Sequence, residues 1–408
     1  MNVLFLENID SAAVKVLSEN GFNVESFPHT LSQNELITKI NNDNISIIGI
    51  RSKTKLNETV LRSCSSLEII GCFCIGTDQV NLKVATELGL AVFNSPFEST
   101  RSVAELTLAN IIGLSRQLCK KTYELQNGYW SKTAKGMYEV RGKRLGIIGY
   151  GHVGSQLSIL AENIGIKVYY YDIRKIMPLG NSKVFNSLEE LLAKCDFISL
   201  HVPLTPDTEN MIGEKEINMM KKGSYLLNLS RGKVLDIEAT QRALKSGHLA
   251  GVALDVYPVE PKTNNVYIDL PMGIQKIGSS DNIILTPHIG GATVEAQRNI
   301  GIDVSYKIMN YFRNGDTSIC VNLPTMLGRS IGIGQTLIIY LHKNVPGILS
   351  NVNRVLQKYN ININNLNLTT KDNLGYCLIR IDKQSDNTKK IIQEEINNFS
   401  ETIRLRFR

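Results

Sequence analysis

A glycine-rich segment in the middle of the chain restricts the possible folds more than any other feature of the sequence. Gly149, Gly151 and Gly154 form a GxGxxG pattern that follows the apolar run LGII and precedes a helical pattern. Glycines at this spacing permit a tight turn, close approach of the backbone to a pyrophosphate and close helix–strand packing. The helix N-terminus offers unpaired N–H groups to the phosphates. The pattern therefore predicts a Rossmann-type unit that binds a dinucleotide.

An acidic residue at the end of the next predicted strand indicates which dinucleotide is bound. The strand KVYYY ends at Asp172, where a carboxylate accepts hydrogen bonds from both ribose hydroxyls of NAD and repels the 2′-phosphate of NADP. Arg174 lies two residues later and keeps NADP open as an alternative. A glycine-rich turn without a ligand is the other alternative. We predict NAD as the cofactor.

Alternating strand and helix patterns extend through most of the 408 residues. One series occupies the first hundred residues, and a second begins at LGII, which predicts two parallel sheets covered by helices. One long helical stretch is predicted from about 102 to 128. The C-terminal segment shows the order βαββαβ of a ferredoxin-like unit. The predicted fold class is α/β, with two Rossmann-like doubly wound parallel-sheet domains and a smaller ferredoxin-like domain.

Domain boundaries follow from these patterns. Residues 1–98 form the first part of one domain, and residues 99–285 form the dinucleotide-binding domain. Residues 286–322 return to the first domain, and 323–334, rich in glycine and without clear periodicity, read as a linker. Residues 335–408 form the C-terminal domain.

Composition and charge argue against several other classes of protein. The net charge of +7 is not concentrated in a long basic tract, so a nucleic-acid partner is not indicated. No apolar run reaches the roughly 18 residues of a membrane helix, and the first residues lack the features of a signal peptide. The seven cysteines show no zinc spacing beyond the close pair Cys72 and Cys74. We expect a cytoplasmic protein without a metal, membrane or nucleic-acid partner.

Three reactive side chains follow predicted strands of the second series. Arg231 lies in LSRG, Glu260 in VEP and His288 in PHIGG. The carboxyl ends of strands in a doubly wound sheet face the ligand crevice, so these side chains can converge. Histidine suits the removal of a hydroxyl proton near neutral pH, glutamate can fix its tautomer, and arginine binds a carboxylate through its planar fork. A lone arginine or glutamate is more often part of a surface ion pair, but the three residues together with the dinucleotide motif predict hydride transfer on a hydroxy acid.

Several segments resemble those of a known enzyme family. GCFCIGTDQV, RGKRLGIIGYGHVGSQL, NLSRG, LDVYPVEP and LTPHIGGAT are similar to motifs of the D-2-hydroxyacid dehydrogenases. CFCIGT together with the C-terminal unit resembles the phosphoglycerate dehydrogenases of this family, in their bacterial form with a C-terminal ACT domain. The resemblance implies a homotetramer with a substrate-binding first domain. The implied reaction is NAD-dependent oxidation of 3-phospho-D-glycerate to 3-phosphohydroxypyruvate, the first step of L-serine biosynthesis, with 2-oxoglutarate reduction left open as a side activity.

The resemblance assigns roles to matching positions of the dehydrogenase part. Arg231, Glu260 and His288 match the family's catalytic residues. The positions implied to contact NAD are Gly149, Gly151, His152, Val153, Gly154, Asp172, Leu229, Ser230, Arg231, Asp255, His288, Gly290 and Gly291. Those implied to bind the substrate phosphate are Arg51, Ser52 and Lys53 in IRSKT, with added charge from Lys132. The alternative for the two lysines is a solvated surface.

The C-terminal unit resembles an ACT domain, a module that binds amino-acid regulators. His342, Asn344 and Asn362 match the positions that bind the feedback inhibitor L-serine in such enzymes. Histidine and asparagine side chains suit the carboxylate, amine and hydroxyl of this zwitterion. The alternative is a dimerisation module without a ligand.

Two other functions remain open at this point. One is another D-2-hydroxyacid dehydrogenase, such as a glyoxylate or hydroxypyruvate reductase, against which IRSKT and the ACT-like unit argue. The other is an NAD-gated binding protein of the same fold without enzymatic activity, which can retain the same three reactive residues. The segment 262–282 looks longer than in the family's pattern.

Overall fold

The computed structural model describes residues 1–261, 266 and 282–408. The chain divides into two compact units, one formed by 1–98 with 297–408 and the other by 99–296. The predicted longer segment, 262–282, lies almost wholly outside the described residues. Among the described residues, no helix combines the length and the hydrophobicity needed to cross a bilayer.

The first unit begins with a five-stranded parallel sheet of order β2-β1-β3-β4-β5. Its strands are β1 Asn2–Phe5, β2 Asn23–Ser26, β3 Ile45–Ile50, β4 Ile69–Cys72 and β5 Ala91–Asn94. The helices between them are α1 Ser11–Glu19, α2 Gln33–Asn42, α3 Glu58–Ser63 and α4 Leu82–Glu87. Apolar residues fill both faces of the central strands, as expected for a parallel sheet covered by helices.

The second unit contains a seven-stranded parallel sheet of order β12-β11-β10-β9-β6-β7-β8. Its strands are β6 Arg144–Ile148, β7 Lys167–Tyr171, β8 Lys183–Val184, β9 Phe197–Leu200, β10 Ser224–Asn228, β11 Leu249–Leu254 and β12 Ile283–Leu285. Its helices are α5 Thr100–Ser115, α6 Leu118–Gln126, α7 His152–Asn163, α8 Leu188–Lys194, α9 Glu214–Met219 and α10 Ile237–Lys245. Helix α11, Val294–Asn314, leads back to the first unit. The predicted fold class is confirmed.

The helical stretch predicted from about 102 to 128 is divided into α5 and α6. Gln117, between the two helices, has a left-handed φ of 52°. Its side-chain amide donates to the carbonyl oxygens of Lys135 and Gly136 at 3.3 and 2.9 Å. Because these partners lie in a later loop and no glycine or proline marks the break, the local sequence pattern did not reveal it.

The C-terminal residues form a four-stranded antiparallel sheet of order β14-β15-β13-β16 with two helices, the predicted ferredoxin-like arrangement. Its strands are β13 Gln335–Lys343, β14 Ile363–Lys371, β15 Leu374–Asp382 and β16 Thr402–Phe407. Its helices are α12 Ile348–Lys358 and α13 Asp386–Asn397. One face of the sheet buries apolar residues beneath these helices.

The other face of this sheet packs against the first domain, and both contribute to one hydrophobic core. Leu337, Ile339, Leu341, Tyr376 and Leu378 belong to one buried cluster with residues of β1, β4, β5 and α11. We call this cluster the shared core. Leu323 and Met326, from the segment predicted as a linker, are also buried in it. The C-terminal domain therefore has its own helix-covered core and also completes that of the first domain.

Candidate active site

The glycine-rich turn lies between the end of β6 and the start of α7. Gly149 has a φ of 90°, and a Cβ there would lie 2.5 Å from the carbonyl oxygen of His201. A Cβ at Gly154 would lie 2.2 Å from the carbonyl oxygen of Gly149. At Gly151 the nearest atom would be an Arg174 nitrogen at 3.8 Å. The first and third glycines are thus required by the protein's own backbone, while the second leaves open space at the N-terminus of α7, where a pyrophosphate is stabilised.

The carboxylate of Asp172 lies at the end of β7, as predicted, and is 5% exposed. It accepts hydrogen bonds from the backbone N–H groups of Tyr150 and Arg174, each at 2.9 Å. The Arg174 guanidinium adds contacts at 3.2 and 3.3 Å. Burial acts to raise the pKa of Asp172, but the bonds from Arg174 and Tyr150 outweigh it and hold the pKa below its ordinary value. The carboxylate is therefore ionised at neutral pH, as a ribose-hydroxyl acceptor needs to be.

His288 and Glu260 form the central pair of the site. His288 Nδ1 and Glu260 Oε2 are 2.7 Å apart, and both side chains are partly exposed. Glu260 Oε1 accepts from the backbone N–H of Tyr257 at 3.2 Å. Burial acts to raise the pKa of Glu260, but the hydrogen bond and charge of His288 and the nearby charge of Arg231 hold it below its ordinary value. An ionised Glu260 fixes the proton of the imidazole on Nδ1 and leaves Nε2 as the proton acceptor.

Arg231 is held in a turn that follows β10. The Asn228 side chain accepts from the backbone N–H and hydroxyl of Ser230 at 3.0 and 2.9 Å and donates to the carbonyl of Arg231 at 2.9 Å. A Cβ at Gly232 would lie 2.0 Å from the carbonyl carbon of Tyr257, so only glycine fits after the arginine. The structure therefore joins His288 and Glu260 by a hydrogen bond, and the charge of Arg231 acts in the direction that lowers the pKa of Glu260.

Asp255 holds the loop that carries His288. Its buried carboxylate accepts from the Thr286 hydroxyl at 2.6 Å and from the backbone N–H groups of Ile289 and Gly290 at 2.8 Å each. The backbone N–H of His288, which has a left-handed φ of 54°, donates to the carbonyl of Asp255 at 2.7 Å. Asp255 thus positions the loop that carries His288, and its contact with NAD stays a prediction, as do those of Leu229, Gly290 and Gly291.

The segment implied to bind the substrate phosphate follows β3 in the first unit. The backbone N–H groups of Arg51, Lys53 and Thr54 donate to the buried carboxylate of Glu7 at 3.2, 2.9 and 2.8 Å. The Gln79 side chain donates to the carbonyl of Arg51 at 2.6 Å. The backbone of this segment is therefore fixed from both sides.

Lys132 lies in the loop after α6 of the second unit. Its side chain is exposed, and among the described residues no contact joins it to Arg231, Glu260 or His288. Its predicted role as a source of charge for the substrate phosphate stays a prediction.

The three residues implied to bind an effector lie at two ends of the C-terminal sheet. His342 pairs with Gly375 of β15, whereas Ile363, next to Asn362, pairs with Ile381. The six residue steps from Gly375 to Ile381 along β15 span about 20 Å at roughly 3.4 Å per residue. Within one chain, a molecule the size of an amino acid cannot touch both His342 and Asn362.

His342 is buried, and Asn344 and Asn362 are exposed. The imidazole Nδ1 bonds to the carbonyl of Lys343 at 2.9 Å, while Nε2 has no hydrogen-bond partner among the residues that the structure describes. Burial lowers the pKa of His342, so the ring is neutral at pH 7. A buried nitrogen without a partner costs free energy that a ligand can recover.

Three positioning residues were missed from the sequence: Glu7, Gln79 and Asn228. Glu7 and Gln79 lie after strands and Asn228 is the last residue of β10, and each bonds mainly to backbone groups. The signal for Glu7 was an acid directly after the buried run VLFL, at the carboxyl end of a strand. Its partners lie 44 to 47 residues away, so only the pairing of β1 with β3 reveals the contact.

Comparison with known proteins agrees with this geometry. Residues 108–290 match the model of the D-isomer specific 2-hydroxyacid dehydrogenase NAD binding domain, and residues 338–404 match an ACT domain like that of the AHAS small subunit. The chain resembles the D-lactate dehydrogenase of Aquifex aeolicus, solved with NAD and lactic acid, with a TM-score of 0.69 and 30% identity. That likeness covers 79% of this chain and all of the other.

Relatives match over nearly the whole length. D-3-phosphoglycerate dehydrogenase of Dictyostelium discoideum is 46% identical over 406 residues, which cover 100% of this chain and 97% of the relative. The enzyme of the same name from Escherichia coli strain K12 is 43% identical over 96% of this chain and 93% of its own. The chain therefore belongs to the D-3-phosphoglycerate dehydrogenase family of NAD-binding D-2-hydroxyacid dehydrogenases.

Proposed function

We propose that the chain oxidises 3-phospho-D-glycerate to 3-phosphohydroxypyruvate with NAD and so opens L-serine biosynthesis. The observation that carries this proposal is the His288–Glu260 pair at 2.7 Å with the charge of Arg231 beside it. The names of the relatives and the fixed backbone of the Arg51 segment support the substrate.

In the proposed reaction His288 is the general base. Nε2 accepts the proton of the substrate C2 hydroxyl as the C–O double bond forms. Bound NAD supplies the hydride acceptor for the C2 hydrogen. Glu260 stabilises the imidazolium that results, because its carboxylate remains ionised and bonded to Nδ1. Arg231 holds the substrate carboxylate with its planar fork and so orients C2.

Arg51, Ser52 and Lys53 are proposed to bind the substrate phosphate, with Lys132 adding charge. Arginine and lysine side chains give charge-assisted hydrogen bonds to phosphate oxygens. The backbone of the segment is already held by Glu7 and Gln79 in the absence of a ligand, so little ordering is needed on binding.

The test is NADH formation from 3-phospho-D-glycerate, D-glycerate and other 2-hydroxy acids, with reduction of 2-oxoglutarate, glyoxylate and hydroxypyruvate as reverse assays. We expect kcat/KM to be highest for the phosphorylated acid. Arg51→Ala should raise KM for it far more than for D-glycerate, whereas Lys15→Ala, on the exposed side of α1, should change neither. Equal effects of Arg51→Ala on both substrates would assign Arg51 another role, and NAD binding without turnover of any acid would favour a binding protein.

We also propose that L-serine binds between the C-terminal domains of two copies. Because His342 and Asn362 lie about 20 Å apart along the sheet, a site using both needs one residue from each copy. Strand β14 is an edge strand with mostly exposed side chains, so two copies can pair side by side along it. A twofold axis there would place Asn362 of one copy near His342 and Asn344 of the other.

Subunit mixing tests this arrangement. Asn344→Ala and Asn362→Ala should each weaken inhibition by serine about 5- to 150-fold, from loss of about 1–3 kcal/mol of hydrogen bonding, with activity unchanged when serine is absent. Asn387→Ala on α13 is the matched control. Mixed dimers of the two variants should regain one intact serine site, because one interface site then carries both changes and the other none. Mixed dimers that stay insensitive would place the site within one chain.

A homotetramer requires a second interface, which we propose lies on the second unit. Large apolar side chains are exposed on α6 and the loop after it: Leu118, Tyr123, Leu125, Tyr129, Trp130 and Tyr138. Such patches mark association sites. Sedimentation should give a tetramer that Trp130→Glu converts to dimers, and an unchanged mass would contradict this interface.

All seven cysteines are free, which supports the proposed cytoplasmic location.

A further inference from the structure

A large polar cleft in the first unit has no role in the reaction described above. Its volume is about 780 Å³. Strand β16 and helix α13 of the C-terminal domain line one side, and residues 44–46 and 65–68 of the first domain line the other. Five cationic side chains line it, and we call it the basic cleft: Lys389, Lys390, Arg404, Arg406 and Arg408.

The basic cleft carries more positive than negative charge. Its lining acids are Glu68 and Asp386, so two carboxylates face five cations and three positive side-chain charges remain. Asp386 pairs with Lys389 at 3.3 Å. Lys390 has no ion-pair partner in the described part of the chain.

Glu68 is the ion-pair partner of two of the three arginines, which are Arg404 and Arg406 in β16 and Arg408 directly after that strand. Glu68 Oε2 lies 3.0 Å from nitrogens of both Arg406 and Arg408. Arg404 instead donates to the carbonyl oxygen of Leu67 at 2.6 Å. Residues two apart in a strand share a face, so the three guanidinium groups are crowded on one side of β16. The cluster therefore holds more cations than its own acids neutralise.

The half-buried side chains of Arg404 and Arg408 indicate the same deficit. Burial, followed by the charge of Arg406, lowers the pKa of Arg404 to about 10. Burial also lowers the pKa of Arg408, against the opposing charge of Glu68. A desolvated cation without full compensation is costly, and an anion in the cleft would remove that cost.

Strand β16 also offers backbone donors. It is an edge strand, and Arg408 exchanges both backbone hydrogen bonds with Leu337 of β13. In an antiparallel pair the intervening residues point their peptide groups the other way, so the N–H groups of Phe407 and Leu405 face the open edge. Gln393 Nε2 approaches the Leu405 carbonyl oxygen from that edge at 3.5 Å. The hydroxyl of Ser65 also lines the cleft.

We propose that the basic cleft binds a small anion with a phosphate group, in addition to the substrate phosphate bound at the Arg51 segment. Guanidinium, ammonium and backbone N–H groups together are the donors that phosphate oxygens accept. The volume is within the range of about 300–1,000 Å³ usual for small-molecule sites, so it has room for more than inorganic phosphate. Two sources share this chemistry: free phosphate and a phosphorylated carboxylic acid.

Calorimetric titration of the full-length protein at low ionic strength tests the proposal. The Arg51→Ala background removes the substrate-phosphate segment from the measurement, so the result does not depend on the proposed reaction. Inorganic phosphate is one probe, and 2-phosphoglycolate, which adds a carboxylate, is the other. Saturable binding of either supports the cleft, and tighter binding of 2-phosphoglycolate identifies the organic anion as the better ligand.

Variants locate the binding. Lys390→Gln and Arg404→Gln, each in that background, should weaken binding about 10-fold through loss of one charge-assisted contact. Lys390 is exposed, so its variant folds even if the arginine variant does not. Lys383→Gln, an exposed lysine outside the cleft, is the matched control and should bind as before. No saturable binding, or equal affinity in all three, would overturn the proposal. A changed sedimentation coefficient in Lys390→Gln with unchanged phosphate affinity would also overturn it, because it would show that a second copy occupies the cleft.

Discussion

Replacing Glu7 with glutamine should weaken substrate binding although Glu7 touches no substrate. Its Oε1 accepts from the backbone N–H groups of Arg51 and Thr54, and its Oε2 accepts from that of Lys53. A glutamine preserves only one acceptor oxygen. In its best orientation the glutamine oxygen keeps the bonds from Arg51 and Thr54, and its amide nitrogen faces the Lys53 N–H. The bond from Lys53 is then lost, because two N–H donors point at each other.

The expected cost follows from these bonds. Loss of one hydrogen bond to a charged group costs about 1.5–3 kcal/mol, and the two that remain become weaker because the acceptor is no longer charged. A total loss of about 2–4 kcal/mol of hydrogen-bond free energy lets residues 51–54 leave their binding conformation part of the time. The apparent affinity for substrate then falls in proportion to the fraction of protein that has left this conformation. We expect KM for 3-phospho-D-glycerate to rise about 10-fold, which corresponds to about 1.4 kcal/mol.

Steady-state kinetics with a thermal melt is the assay. NAD affinity should stay unchanged, because the dinucleotide turn belongs to the other unit. Glu25→Gln, which removes only an ion pair with Lys39 at 2.8 Å, is the control and should leave KM unchanged. A Glu7→Gln protein with lower melting temperature but normal KM would refute the reasoning, since the Arg51 segment would then be held without Glu7.

Three further predictions concern the second unit. His288→Ala should lower kcat about 10²–10⁴-fold while NAD titration remains normal, and parallel loss of NAD binding would contradict its role as base. Asp172→Ala should reduce the preference for NAD over NADP, measured as the ratio of kcat/KM values, because the carboxylate that repels the 2′-phosphate is gone. The pKa of Glu260 is lowered in the folded protein, so its ionised form contributes stability above the unfolded value of about 4.3 and loses it as pH falls through the folded value. Glu260→Gln should therefore lower the melting temperature more at pH 7 than at pH 3.5, and an equal loss at both would refute the assignment.

The dinucleotide half of the site was predictable because its signals are local. Gly149, Gly154 and Asp172 follow strands that alternate with helices, and each is required by a turn or by a strand end. The positions of Arg231, Glu260 and His288, whose catalytic roles stay predictions, were predictable for a related reason, since each follows a strand of one parallel sheet. To expect these three side chains near one another, it is enough to know that the carboxyl ends of parallel strands lie at one edge of the sheet.

Other parts of the structure depend on contacts between distant segments. Nothing near Glu7 in the sequence indicates that three backbone groups more than 40 residues away will meet it. Likewise, His342 and Asn362 are 20 residues apart in sequence, and only the register of β13, β14 and β15 shows that one chain cannot bring them together. The hydrophobic periodicity of a sequence predicts where strands lie, but it does not determine which strands pair or in what register.

The shared core has a consequence for the order in which the chain becomes structured during translation. Phe5 of β1 belongs to the same buried cluster as Leu378 of β15. At 5–20 residues per second, roughly 20 to 75 s separate the synthesis of these two residues. Throughout that interval the first domain lacks its cover and exposes apolar surface, which is a condition for aggregation and for chaperone binding. Biogenesis of this protein should therefore be most vulnerable before its last hundred residues emerge from the ribosome.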